Sequence, residues 1–279
     1  MTDPSPAAVP SPGELLSVAV EVVRSAATLI PEVAHPAGGV RAAAVPLIST
    51  KSSATDLVTE VDRAVGRRIV EELARRRPGD GLNGEEGAAR PGSTGVTWHI
   101  DPIDGTTNFV YGLPGYAVSV AAEHGAQMVA GVVLDVVRDE LFTATVGGGA
   151  ARNGAPIRCS SAADLSTALV ATGFSYLAER RARQARVLET VLPAVRDIRR
   201  LGAASTDLCA VACGHVDAFY EKGLGSWDYA AGALVATEAG AMVGGLDGGP
   251  PSGDFVLASS PALFGPLRTL LARSGAGDA

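Results

Sequence analysis

Residues 99–114, HIDPIDGTTNFVYGLP, run an apolar segment straight into two aspartates three positions apart and follow them at once with Gly, Thr, Thr and Asn. Carboxylates at the end of a buried strand are costly unless a cation or several hydrogen-bond donors compensate them. Asp101 at the strand terminus and Asp104 beyond it, with Pro102 stiffening the turn, can aim oxygens at a common point, and the carbonyl of Ile103 can join them. An all-oxygen set without His or Cys suits a hard cation, Mg²⁺ or Mn²⁺, better than Zn²⁺. The GTTN that follows can open a helix whose unpaired amides, with a Thr hydroxyl, form an anion pocket beside such cations. Cations and amides together make a phosphate site.

Two further acidic residues share this placement. Glu85 in GEEG (84–87) and Asp228 in SWDYAAG (226–232) both sit where an apolar element meets a Gly-rich turn or a helix start. Helix capping explains any one such residue alone. It does not explain four of them.

Outward from these motifs, the pattern of apolar residues predicts an amphipathic helix over Glu14–Ile30, stopped by Pro31, and a second over Asp62–Arg77, ended by PGDG. Between them, residues 35–56 mix Gly, Pro and Ser without either period, which predicts a mobile segment containing Lys51. A strand over Val96–Ile100 delivers the opening motif. Runs at Tyr116–Glu123, Met128–Val137 and Glu140–Val146, joined by short turns, predict an antiparallel meander, and RNGAPIRCS a further turn and edge strand. The second half alternates: strands at Ala168–Thr172, Val216–Tyr220 and Phe255–Ala258, and helices over Leu177–Val195, over Ala203–Cys213, from Asp228 and from Pro261. Helices, meander, then alternating strand and helix imply layered sheets and helices.

Bulk properties narrow the function. The 279 residues suffice for a sizeable core, and with aromatics at 5% that core must be built from Ala, Val and other small aliphatics. A net charge of -7 disfavours broad attraction to nucleic acid or to an anionic membrane. No apolar run approaches the roughly 20 residues of a membrane span, and the Pro- and Ser-rich start, residues 1–13, reads as a disordered tail without a secretory signal. Cys159, Cys209 and Cys213 are too few and too irregular for a disulfide framework. These features predict a soluble cytoplasmic protein with no nucleic-acid or membrane partner. His35, His99, His124 and His215 are scattered without ligand spacing, and Trp98 and Trp227 are expected to pack behind the site.

DLVTEVD (56–62), GEE (84–86), WHIDPIDGTTNFVYGLP (98–114) and WDYAAGALVATEAGA (227–241) together resemble the signatures of the inositol monophosphatase family, in order and spacing over nearly the whole chain. KSSATDLVTEVD (51–62) and DAFYEKGLGSWD (217–228) resemble the bacterial inositol-1-monophosphatases. The resemblance implies an α/β (α+β) fold, a five-layer α-β-α-β-α sandwich of the sugar phosphatase type, formed by a single domain over 14–279 with halves meeting near residue 160. It also implies a lithium-sensitive, magnesium-dependent phosphomonoesterase, commonly a homodimer, acting on a small phosphorylated polyol. By motif position, Glu85, Asp101 and the Ile103 carbonyl would hold one Mg²⁺, and Asp101, Asp104 and Asp228 a second, with a third, weaker ion near Glu85. Asp104, Gly105, Thr106, Ala204, Glu221 and Asp228 would contact substrate, Glu221 through an inositol hydroxyl. Glu85, Asp104 and Thr106, the last backed by Asp62, would act in catalysis, and the segment with Lys51 would fold over the metals. Histidinol phosphatase and fructose-1,6-bisphosphatase share these motifs, as does 3'-phosphoadenosine phosphatase. A non-catalytic regulator contacting transcription machinery is the alternative from another class. Ser205 and Thr206 in GAASTD (202–207) depart from the family pattern beside the expected substrate site.

Overall fold

The meander strands are apolar on both faces, and successive side chains enter two different cores. The computed structural model describes residues 10–30, 47–50, 57–85, 87 and 89–279; Lys51, Glu86 and His35 lie outside them. The first half runs α1 (Pro12–Ala27), β1 (Leu47–Thr50), β2 (Leu57–Thr59), α2 (Glu60–Arg76), β3 (Gly81–Gly84), β4 (Val96–Asp104), α3 (Thr106–Tyr111), β5 (Ala117–His124), β6 (Gln127–Asp135), β7 (Glu140–Thr145), β8 (Gly149–Arg152) and β9 (Ala155–Pro156). Strands β3 to β9 form a seven-stranded sheet in sequence order, antiparallel except for the β3–β4 pair.

Along β5, Val118, Val120 and Ala122 face one core, with Leu15, Val22, Ile69 and Leu73 of α1 and α2. Ala117 and Ala121 face the other, with Leu208, Ala231 and Val235. This two-residue period is what places helices on both faces of the sheet.

The second half supplies the remaining layers: β10 (Leu169–Thr172), α4 (Ala178–Val191), β11 (Asp197–Arg199), α5 (Ala204–Ala212), β12 (Ala218–Glu221), α6 (Ser226–Glu238), β13 (Met242–Gly244), β14 (Val256–Ser259) and α7 (Pro261–Arg273). Its five-stranded sheet has the order β11-β10-β12-β14-β13, the first three strands parallel and the last two antiparallel to their neighbours. Helices α5 and α6 lie between the two sheets, and α4 and α7 cover the outside of the second. The expected five-layer α-β-α-β-α sandwich is therefore the observed one.

The Ala- and Gly-rich composition is used in the middle layer. A Cβ on Gly131 of β6 would lie 3.1 Å from Ala231 Cα, and one on Gly232 of α6 would lie 2.8 Å from Leu208 Cβ of α5. Small residues let α6 approach both the sheet and its companion helix, as close packing of interiors requires.

Several boundaries differ from expectation. Helix α1 starts at Pro12, inside the expected tail, because Ser11 and Glu14 form a reciprocal capping box. Thr59 and Asp62 form another, which starts α2 at Glu60. Helix α4 ends at Val191 and passes into a 3₁₀ turn, Leu192–Ala194, that contains Pro193. Leu47–Thr50, inside the segment expected to be irregular, pairs with β2 as a hairpin. Among the described residues no helix is long and apolar enough to cross a membrane.

Candidate active site

Strand β4 is buried along its length except at the half-buried Thr97. The register with β5 slips between Asp101, which pairs with Ser119, and Asp104, which pairs with Ala117, so the irregularity falls between the two aspartates at the end of the strand. Asp101 is 1% exposed, and its Oδ1 accepts the amide of Ile103 at 3.0 Å, which closes the Asp-Pro-Ile turn. Gly105 follows with φ 89°, and a Cβ there would come 2.7 Å from the Gly115 carbonyl and 3.0 Å from Ala203 Cβ. Only glycine fits both the left-handed backbone and the close walls.

α3 then begins at Thr106. The Thr106 hydroxyl lies 3.0 Å from Asp62 Oδ1 and 3.0 Å from the Ile103 carbonyl. Asp62 is itself buried, its Oδ2 accepting the amide of Thr59 at 2.9 Å and also the Thr59 hydroxyl. The expected pairing of Thr106 with Asp62 is present as geometry. Asn108 ties the same turn to the second half of the chain, its Nδ2 donating to the carbonyls of Gly115 and Leu201, each at 2.8 Å.

A cavity of about 400 Å³ opens where this turn meets the N-termini of α5 and α6. Glu85, Asp101, Ile103, Asp104, Gly105, Thr106, Ala204, Glu221 and Asp228 all line it, so residues expected from separate motifs share one space. Asp62 stands behind Thr106 and does not line the cavity. Trp227, expected behind the site, is part of the lining, because a Trp at the start of α6 faces the turn at Gly225. Trp98 does not line the cavity; it is fully buried in the first core and donates from Nε1 to Asp80 at 2.8 Å.

Six carboxyl side chains outnumber three cationic ones on this lining. Burial pushes the Asp104 carboxyl up, while the backbone amides of Ser205, at 2.7 Å, and Ala204 pull it back. Burial and then the charges of Asp104 and Glu85 raise Asp228 well above the usual carboxylate range, against one amide bond from Gly225 at 2.6 Å. Burial lifts Glu221 to about 7, with Arg200 lowering it and Asp104 raising it.

Asp207, which carried no sequence signal, also lines the cavity at 1% exposure, with no hydrogen-bond partner for its Oδ1; burial, Glu221 and Asp104 hold its carboxyl high. Arg180, Arg200 and Lys222 stand on the lining as well. Of the two departures in GAASTD, the Ser205 amide binds Asp104, whereas the Thr206 hydroxyl turns back to the Ala203 carbonyl at 3.0 Å.

Among the described residues, no three His, Cys, Asp or Glu side chains are gathered as a ready-made ligand group. The carboxylates line a shared wall and do not form a closed cage. Their chemistry still fits a hard divalent cation: the donors are all oxygens, and burial with the charges of Asp104 and Glu85 raises Asp228, which a cation would offset.

The family profile described as "Inositol monophosphatase family" matches residues 11–274. An inositol-1-monophosphatase of Mycobacterium bovis is 46% identical over 238 residues, covering 81% of each chain. The Nus factor SuhB of Pseudomonas aeruginosa is 45% identical over 208 residues, covering 71% of this chain and 75% of its own. The solved IMPase of Thermotoga maritima superposes with a TM-score of 0.83 at 29% identity, covering 95% of this chain and 99% of that one. With the acidic cavity set at the end of β4 and these matches along its length, the chain belongs to the inositol monophosphatase family, whose members are phosphatases that generally use divalent metal ions.

Proposed function

We propose that the chain is a Mg²⁺-dependent phosphomonoesterase that hydrolyses myo-inositol 1-phosphate to inositol and phosphate. The supporting observation is the single cavity that holds Glu85, Asp101, Asp104 and Asp228 together with the Gly105–Thr106 turn and Glu221. Glu85, Asp101 and the Ile103 carbonyl would hold one ion, and Asp101, Asp104 and Asp228 a second, with Mn²⁺ an acceptable substitute and a third, weaker ion near Glu85. When bound, such ions polarise phosphoryl oxygens, acidify water and stabilise the leaving alkoxide.

The chain's own groups do the rest. The amides of Gly105 and Thr106 face the phosphate as donors that need no reorganisation. Thr106 Oγ1 accepts a proton from the attacking water as its own passes to Asp62 Oδ1, 3.0 Å away. Glu221, whose carboxyl titrates at about 7, is suited to bind a sugar hydroxyl either as donor or as acceptor. Ala204 and Asp228 border the same space.

Rates of phosphate release measured side by side on myo-inositol 1-phosphate, histidinol phosphate and fructose 1,6-bisphosphate test the substrate. The highest kcat/KM is expected for the inositol ester; a preference for either competitor moves the assignment to that activity.

A second reading, a regulator acting on transcription machinery, draws on the Pseudomonas relative named as a Nus factor. Turnover lost in Asp104→Asn with transcription-complex binding retained would separate that role from the first. Cytoplasmic location, lithium sensitivity and a homodimer complete the proposal; sedimentation of the full chain checks the last.

A further inference from the structure

Behind the cavity, a second polar cluster bridges the elements that carry its carboxylates. His99 of β4 is 6% exposed, between the fully buried Trp98 and Ile100. Its Nε2 lies 2.8 Å from Glu123 Oε2 of β5, and its Nδ1 lies 2.8 Å from the hydroxyl of Ser226, the first residue of α6. Asn83 of β3 donates from Nδ2 to the same hydroxyl at 2.9 Å. One set of hydrogen positions satisfies every group: Asn83 donates to Ser226 Oγ, the Ser226 hydroxyl donates to His99 Nδ1, and His99 Nε2–H donates to Glu123.

Burying the His99 imidazole is costly unless its nitrogens find partners, which the half-buried Ser226 and Glu123 supply, and an apolar residue would fill the same space without that requirement. What the polar set adds is direction. Strand β3 runs into Glu85, β4 reaches Asp101 two residues after His99, and Ser226 stands two residues before Asp228. The Asp228 carboxylate accepts the Gly225 amide, so its orientation follows the first turn of α6. The nearby tie from the Ser119 hydroxyl to the Trp227 carbonyl is long, at 3.4 Å.

We propose that His99 is a positioning residue: by bridging Glu123 to Ser226 it sets the first turn of α6, and so Asp228, against Glu85 and Asp101. The inference rests on the proposed function, in which these carboxylates hold a divalent cation. It makes no use of the protonation of His99.

Titration of Mg²⁺ into the full chain without substrate, followed by the rise in Tm, reads the role directly. Partners bonded directly to metal ligands typically contribute about tenfold or more to metal affinity; His99 acts one bond further out, through Ser226, so His99→Val is expected to raise the Mg²⁺ midpoint by about fivefold. His99→Asn keeps an amide where Nδ1 faces Ser226 and is expected to stay within about twofold of wild type, whereas His99→Gln, which reaches only towards Glu123, follows His99→Val. Ser226→Ala approaches the same link from the other element and serves if a His99 variant fails to fold. Combined with His99→Val it should be no worse than either change alone.

A merely structural histidine would lower the Tm of the metal-free chain and leave the Mg²⁺ midpoint unmoved in every variant, and that result overturns the inference. A wild-type chain that shows no response to Mg²⁺ overturns the proposed function together with it.

Discussion

Replacing Glu221 with Gln perturbs the cavity without changing its shape. In the metal-free chain burial lifts this carboxyl from 4.5 to about 7, Arg200 opposing the rise and Asp104 adding to it. An acid whose folded value lies above its unfolded one is protonated in both states below the unfolded value, so Glu221 costs nothing at about pH 4. Between 4.5 and 7 the unfolded chain releases a proton that the folded chain keeps, and stability falls as pH rises. Above about 7 the penalty is constant. At 1.36 kcal/mol per unit of pKa the whole interval is worth at most about 3 kcal/mol. Partial exposure of the side chain brings the expected figure to about 1–3 kcal/mol.

Glu221→Gln should therefore match wild type at about pH 4 and exceed it by that amount at about pH 8, measured by urea unfolding in the presence of a chelator. The same substitution should raise KM for inositol 1-phosphate. Parallel stability profiles for the two chains from about pH 4 to pH 8 would refute the reasoning.

Asp104→Asn, which removes a charge shared by the proposed cation and phosphate sites, should keep the fold by circular dichroism and lose more than about nine-tenths of turnover at saturating Mg²⁺, a drop of at least 1.4 kcal/mol in transition-state stabilisation; retention of more than a tenth contradicts its role. Gly105→Ala puts a Cβ 2.7 Å from the Gly115 carbonyl at φ 89°, and should cost about 2–4 kcal/mol in urea unfolding from backbone strain and overpacking. Asp80→Ala strands Trp98 Nε1, Arg77 and the Thr94 hydroxyl, all of which bond to that carboxylate, and should cost about 2–4 kcal/mol while leaving KM unchanged.

The parts of this molecule legible in its sequence are those with a long period or a dense motif. Apolar runs at Tyr116–Glu123 and Met128–Val137, separated by short turns, marked the meander, and the helical stripe of Val65, Ile69 and Leu73 marked α2. The cavity lining followed from motifs whose acidic residues sit at element ends. Strands β3, β11 and β13 went unseen because three or four residues such as DIR or MVG are too short to show a period. They are ordered by neighbours in the sheet. Asp207 was hidden because it lies within an apolar helix, where only the tertiary arrangement turns its carboxyl to the cavity floor. His99 carries no signal in the sequence because its partners, Glu123 and Ser226, lie 24 and 127 residues away. No sequence pattern of local range joins them.

The Mg²⁺ expectation reduces to where a divalent ion sits. Crystals grown with Mn²⁺, an anomalous scatterer that takes the same oxygen ligands, allow the ion to be located independently of any assay. The account predicts anomalous peaks inside the cavity, within bonding distance of Glu85 and Asp101 and of Asp104 and Asp228. An occupied phosphate beside Gly105 with no peak at these carboxylates would contradict it.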